Sequence, residues 1–336
     1  MINAAIVGLG RWGQRLVDSV QEGGTPKGGL IRFSRAIVRT PAKVAEYGAK
    51  QDLQVTGALE DALQDDAIDA IVLATPHDLH AEQIVAASRA GKHVFVEKPL
   101  AMSLADAETA VASAINGNRV LALGHNRRFL PAAHHMKAML ASESLGTVLH
   151  VEGNFSNASG LNYHDGMWRA GEYGPKSAMT AMGIHVLDFF ISLCGPIHSV
   201  RTSSKRRAMP VDVDDLVQVE LTFRSGATGS LGTMLTTPRQ WRVQLFGTKS
   251  WLHMRDENIL DICNEAGSVE TVTFDQVDTL RLELEAFARA IGGGEAYPIS
   301  MADALHGTSA LESILKSAEA GGVTIAVPPS AINAAT

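Results

Sequence analysis

Ile2-Asn3-Ala4-Ala5-Ile6-Val7-Gly8-Leu9-Gly10-Arg11-Trp12-Gly13 is the stretch on which the fold turns. Residues 2–7 read as a strand and residues 12–21 as a helix, with the spacing G-x-G-x-x-G between them. Each glycine has its own reason. Gly8 permits a tight turn, Gly10 lets the backbone approach a pyrophosphate, and Gly13 lets helix and strand pack closely. The helix N-terminus adds N–H groups and a positive partial charge. Such a spacing alone also occurs in ordinary turns; a strand before it and a helix after it make it a dinucleotide-binding turn. Gly8, Gly10, Arg11, Trp12 and Gly13 are the cofactor-binding candidates there.

Outward from that loop, the next strand spans residues 31–38 and ends Val38-Arg39-Thr40. A site for NAD usually places Asp or Glu here, on the ribose 2′-hydroxyl. No acidic residue lies between Glu22 and Glu46. Arg39 suits a 2′-phosphate through charge-assisted hydrogen bonds, and Thr40 can add a hydroxyl. The expectation is NADP(H) in preference to NAD(H); the other reading is that Arg39 merely faces water.

Short apolar runs then alternate with helical patterns up to residue 124. Residues 41–47 form a short helix opened by a proline. Strands follow at 53–55, 68–74, 93–96 and 120–123, with helices at 81–90 and 103–115, the latter opened by a Ser103/Asp106 capping box. The run 68–74 is almost wholly apolar, as a strand covered on both faces must be. This alternation predicts a doubly wound parallel sheet, the Rossmann arrangement.

The pattern changes after a helix at 131–141. Strands at 148–155, 199–202, 216–223, 228–235, 240–246 and 250–254 follow one another through short turns, Arg224-Ser225-Gly226 being one. That predicts an antiparallel or mixed sheet, interrupted by a helix at 178–193. Helices at 280–291 and 301–320 close the chain. The expected domains are 1–124, binding the dinucleotide, and 125–336, binding substrate and pairing copies. Packing of the last helices back onto the first domain is left open.

Composition narrows the class. The 336 residues are 46% hydrophobic and 19% charged, which suits two globular domains, and the net charge of −7 carries no electrostatic footprint for nucleic acid. Lys205-Arg206-Arg207 is the one basic run and reads as a solvated loop. Two cysteines, Cys194 and Cys263, form neither a Cys-x-x-Cys pair nor a disulfide scaffold. No apolar run reaches membrane length, and no signal-peptide pattern opens the chain; the expected compartment is the cytoplasm. His77 and His80 lack a third ligand of suitable spacing, so no metal is expected.

Three further segments carry a resemblance. The first is Ala74-Thr75-Pro76 with His80, then Gly91-Lys92-His93-Val94-Phe95-Val96-Glu97-Lys98-Pro99-Leu100. The second is Gly183-Ile184-His185-Val186-Leu187-Asp188. The third is Glu285-Ala286-Phe287 with the small-residue helix from Ser313 to Gly321. With the glycine loop they resemble the Gfo/Idh/MocA oxidoreductases, named for glucose–fructose oxidoreductase, inositol dehydrogenase and a rhizopine-catabolism protein. The resemblance spans nearly the whole chain, and the Glu-Lys-Pro segment is its most specific part. It implies an α/β fold: a Rossmann domain joined to an α+β domain with a large, mostly antiparallel sheet, whose face often makes dimer or tetramer contacts. It implies reversible hydride transfer between a nicotinamide and a hydroxyl-bearing carbon of a sugar, cyclitol or related polyol.

Residue by residue, the resemblance makes Lys98 the active-site lysine; Thr75, Pro76, Glu97 and Lys98 are cofactor-side candidates, and His80 is either a helix-start residue or a further cofactor-side one. The chemistry agrees: an ammonium near the reacting oxygen stabilises developing alkoxide and helps relay its proton, and burial can tune its pKa. A cis Lys98–Pro99 bond is compatible with the motif. His185 matches the family histidine, and an imidazole suits acid–base work at neutral pH. Asp188, three residues on, shares its helix face and either orients that ring or faces solvent. Asn126, Arg127, Trp168, Arg169 and Thr180 are the substrate-side candidates; Asn126 and Arg127 could bond hydroxyls or a carboxylate, or could serve in salt bridging. One departure stands out. Many members carry an aspartate four residues before the histidine; here Ala181 stands there, beside Thr180.

Lys98 and His185 therefore suffice, or the base lies elsewhere, or the chemistry differs. The leading expectation is an NADP(H)-dependent oxidoreductase acting on a small polyhydroxy substrate. The alternatives are a hydrolase or lyase that retains its nicotinamide on the same scaffold, and a non-catalytic sensor of a sugar or nucleotide.

Overall fold

The computed structural model describes residues 1–171 and 177–332. Two compact units result: Met1–Asn126 with Asp278–Ala304, and Arg127–Val277 with Leu305–Ser330.

The first unit holds six parallel strands: β1 (Ile2–Val7), β2 (Ile31–Ile37), β3 (Gln54–Thr56), β4 (Ala70–Leu73), β5 (His93–Glu97) and β6 (Leu121–Gly124). Their order is β3-β2-β1-β4-β5-β6, with Ile2 opposite Ile31 and Ala4 opposite Ala70. All four residues of β4 are buried, as its unbroken apolar run requires. Helices α1 (Arg11–Val20), α2 (Ala45–Lys50), α3 (His80–Arg89) and α4 (Leu104–Asn116) connect the strands. Ser103 caps α4, its hydroxyl accepting from the Asp106 N–H. The expected helix over 41–47 is a 3-10 turn at Pro41–Val44 leading into α2.

A late segment completes this unit. In α7 (Thr279–Ile291), capped by the Asp278 carboxylate, Leu280, Leu284 and Phe287 enter the core that α1 and the sheet form. Phe287 meets Phe95 of β5 at 5.8 Å between ring centroids; burying such a ring contributes roughly 2 kcal/mol. The Tyr297 hydroxyl donates to the Leu123 carbonyl at 3.0 Å.

The second unit is built on nine strands: β7 (Val148–Ser156), β8 (Ile197–Lys205), β9 (Leu216–Phe223), β10 (Thr228–Met234), β11 (Gln240–Gly247), β12 (Trp251–Asp256), β13 (Ile259–Cys263), β14 (Val269–Thr273) and β15 (Ile325–Ala326). They run β14-β13-β12-β11-β7-β10-β9-β8-β15, every pair antiparallel except β7 with β10. Burial alternates along β9, β10 and β11, so one face of the sheet is the core face. On the core side lie α5 (Pro131–Ala141), α6 (Ile184–Cys194) and the part of α8 (Met301–Glu319) that follows Ala304. Gly153 lets α6 approach β7: a Cβ there would meet Val186 and Phe190 at 2.5 and 2.8 Å.

Two features depart from expectation. The helix over 178–193 is not one helix but a π-helical turn, Met179–Gly183, followed by α6. Gly183 is pressed between Met179 and Thr233 of β10, so tight packing, which periodicity does not report, shapes that turn. Strands β13, β14 and the two-residue β15 were not expected. The residues of β14 are almost all exposed, and a solvated edge strand lacks the apolar alternation by which strands are read.

Candidate active site

At the edge of the first unit the glycine loop is shaped by contacts that no side chain would allow. Gly8 has φ +92°, and a Cβ on it would sit 2.5 Å from the Ala74 carbonyl oxygen; a Cβ on Gly13 would collide with the Gly8 carbonyl. Around Gly10 no heavy atom lies within 4 Å of the corresponding point, so this side of the loop is open. Helix α1 begins there with no side-chain cap, leaving its first N–H groups for a ligand. The loops after β1 and β4 meet at the Gly8–Ala74 contact, the point where the strand order reverses and where open α/β sheets bind ligands. This cradle fits a dinucleotide pyrophosphate. Arg11 is exposed at its rim; Trp12 is half-buried, with the Arg15 guanidinium over its ring at 4.8 Å. Arg39 and Thr40 are exposed just past β2.

The loops after β4 and β5 are tied together by one side chain. His80 opens α3 and is fully buried; its Nδ1 faces the Pro99 carbonyl at 2.7 Å and its Nε2 the Thr75 carbonyl at 3.1 Å. Burial pushes its pKa down, and a neutral imidazole donates through only one of its two nitrogens. His80 therefore hydrogen-bonds one of these two carbonyls and packs against the other, filling the space between the segments that carry Thr75, Pro76 and Pro99. The Thr75 hydroxyl donates to the Gln83 side chain at 2.6 Å. The Lys98–Pro99 bond is cis. Lys98 is half-buried, and Glu97 before it is buried. Desolvation pushes the Glu97 carboxyl up to about 7, against the opposing pull of the Trp12 indole and the charge and N–H of Lys98. A Cβ on Gly124 would sit 3.1 Å from both a Glu97 carboxyl oxygen and the Phe95 ring, so the glycine leaves room beside that carboxyl.

In the second unit His185 lies in the first turn of α6 and is buried. The Phe155 ring meets it at 5.7 Å, inclined by 65°. Arg127 lies over Phe155 and Trp241, 4.1 and 4.9 Å from the ring centres, and donates to Glu257 at 2.9 Å. Its neighbour Arg128 makes a two-pronged pair with Asp188 at 2.7 and 2.8 Å, nearly excluded from solvent. Asp188 thus does not face solvent; a buried guanidinium needs a carboxylate partner, and Asp188 supplies it. Thr180 is buried in the π-helical turn, its hydroxyl donating to the Ser177 carbonyl at 3.2 Å. The Ala181 methyl beside it offers no acid or base.

The remaining candidates are dispersed. The Asn126 amide donates to the Thr279 hydroxyl at 2.8 Å, within the first unit. Trp168 and Arg169 stack on each other at 5.3 Å in a 3-10 turn, Trp168–Ala170. Residues 172–176 lie outside the described residues. Phe155, Trp241 and Glu257 were not among the candidates: the aromatics alternate as core residues on strands, and Glu257 sits in a hairpin whose partner is 130 residues away.

Comparison with known proteins agrees with this architecture. The family model described as an oxidoreductase family with an NAD-binding Rossmann fold (GFO_IDH_MocA) matches residues 2–125. The model of the GFO/IDH/MocA C-terminal domain matches residues 133–253. A D-xylose 1-dehydrogenase (NADP(+)) from Haloferax volcanii is 27% identical over 79% of this chain and 82% of its own. A scyllo-inositol 2-dehydrogenase (NAD(+)) from Bacillus subtilis is 26% identical over 90% of each chain. The WlbA dehydrogenase of Bordetella pertussis, solved with NADH and UDP-GlcNAcA, shares the fold with a TM-score of 0.85 at 22% identity, over 97% of this chain and 98% of that one. The chain belongs to the Gfo/Idh/MocA family of NAD(P)-binding oxidoreductases.

Proposed function

We propose that this member of the family is an NADP(H)-preferring dehydrogenase that oxidises a hydroxyl-bearing carbon, or reduces the matching carbonyl, of a sugar, polyol, cyclitol or cyclic diol. The observation that carries the proposal is the glycine cradle at the strand-order reversal, in the same unit as Lys98 at the end of β5. The bound nicotinamide would supply the hydride acceptor or donor. Lys98 holds positive charge for the substrate oxygen as its proton departs. The imidazole of His185 takes or returns that proton. His80, bonded to one of the Thr75 and Pro99 carbonyls and packed on the other, fills the space between those segments. Arg39 and Thr40 favour a 2′-phosphate, since no carboxylate is available there for a ribose hydroxyl. Copies pair through the open face of the nine-stranded sheet, which light scattering after gel filtration checks.

The test is absorbance at the nicotinamide band on mixing the protein with NADP⁺ or NAD⁺ and D-xylose, scyllo-inositol and trans-dihydrodiols, with the reverse panel of NADPH, NADH and keto-sugars. Turnover linked to NADP⁺ is expected. Lys98→Met then lowers kcat by about 10²–10⁴-fold while NADPH fluorescence still reports binding. Arg39→Ala weakens NADPH by about tenfold or more, the loss of one charge-assisted pair, and leaves NADH nearly unchanged; equal losses for both refute the phosphate assignment. Silence across the panel with NADPH binding intact favours the sensor reading, for which the Ala181 methyl is the structural support.

A further inference from the structure

The imidazole of His185 is walled by Phe155, and what holds Phe155 is visible in the second unit. Trp241 stands directly opposite it across the β7–β11 pair and meets its ring at 5.3 Å, inclined by 81°. Trp241 is fully buried and is braced in turn by Phe189 of α6 at 5.9 Å. The Arg127 guanidinium carbon lies 4.1 Å from the Phe155 centroid and 4.9 Å from that of Trp241. A cation over two aromatic rings and 13% exposed is strongly oriented. Glu257 fixes its far end at 2.9 Å, and Glu257 is itself held by Arg239 at 3.1 Å.

We infer that Arg127 is a positioning residue for the acid–base histidine: its guanidinium packs on the Phe155 ring beside Trp241, the three groups bracing one another, and Phe155 in turn bears on the orientation of the His185 imidazole. The inference rests on the reading of His185 as the proton-handling group. A phenyl ring that loses one of its packing partners gains rotational freedom, and a ring packed against it shares that freedom. One helical turn before His185, Ala181 presents a methyl that can accept no hydrogen bond from the ring. The aromatic wall is one restraint on the imidazole. This role also separates the two adjacent arginines. Arg128 closes a buried ion pair with Asp188, whereas Arg127 spends its planar face on rings and one end of its fork on a carboxylate.

The test uses the full-length protein with ¹³C/¹⁵N-labelled histidine, the His185 ring signals being assigned by their loss in His185→Gln. The unaltered protein gives one sharp set. Arg127→Met shifts, broadens or splits it, and Phe155→Leu does the same. Arg127→Lys largely restores it, because an ammonium keeps the cation–ring contact. Glu257→Gln, at a partly exposed site, gives a smaller shift and covers the case in which Arg127→Met folds poorly. On whichever of D-xylose or scyllo-inositol is turned over with NADP⁺, Arg127→Met lowers kcat by tenfold to about a hundredfold with KM nearly unchanged. Unaltered His185 signals in a folded Arg127→Met overturn the positioning role; a raised KM in that case makes Arg127 a substrate ligand, and a lowered Tm alone makes it ordinary packing. If neither substrate is turned over, the ring signals alone decide whether Arg127 positions His185, while turnover of the rest of the panel decides whether His185 is catalytic.

Discussion

In the first unit the candidate site is made of backbone. Gly8 and Gly13 are shaped by contacts with carbonyl groups of Ala74 and Gly8, and the open side at Gly10 exposes N–H groups at the start of α1. In the second unit the candidate site is made of side chains gathered from far apart. Arg127 reaches Phe155, Trp241 and Glu257, and Arg128 reaches Asp188, 60 residues on. A backbone site tolerates changes in its neighbours but not in its glycines. A side-chain site depends on each partner, because removing one takes a charge partner from a nearly dry site.

The sharpest way to break this contrast is Arg128→Met. It strands Asp188 in a nearly dry site and costs about 3–5 kcal/mol of stability in urea unfolding, while NADPH fluorescence titrates as before. Loss of nucleotide binding in the folded variant would show that the second unit's ion pair also shapes the backbone cradle.

Glu97→Gln comes next, because Glu97 is the one strongly perturbed carboxyl beside the cradle. Its native pKa is raised to about 7 from 4.5, so the folded state holds the proton longer than the unfolded chain. Stability is then greatest below about pH 4.5 and declines as pH rises to about 7, by on the order of 3 kcal/mol. Gln, permanently neutral, removes that decline. Unfolding curves at pH 5 and pH 8 measure it, and an unchanged pH slope in the variant would assign the decline to other groups.

The smallest expected loss of stability is that of Gly13→Ala, about 2 kcal/mol for a methyl driven against backbone. Its effect on function is the reverse of Arg128→Met: nucleotide binding is lost although the protein remains folded. Unimpaired NADPH binding in Gly13→Ala would sink the claim that the loop's tight backbone is the site.

Legibility followed the same division. Residues 131–141 and 216–223 form a helix and a strand with the expected bounds, since proline at a helix start and clean alternation are local signals. Strand β14 escaped because a solvated edge needs no apolar face. The π-helical turn at Met179–Gly183 escaped because the pressure on Gly183 comes from Thr233, on another element. Asp188 shows the same limit within the site: its position three residues after His185 leaves its partner undecided, and Arg128 decides it.

What the sequence by itself determined is the Rossmann half with its glycine loop, the sheet-rich second half and the chemical types at Lys98 and His185. These rest on periodicity, on glycine's missing Cβ and on motif spacing, all carried by neighbouring residues. Only the tertiary structure decided that Thr279–Ile291 completes the first unit's core, that Glu97 is buried enough to keep its proton near neutrality, and that Arg127 grips a ring. Desolvation and side-chain pairing depend on which distant residues arrive at the same place, and no local pattern in the chain encodes that meeting.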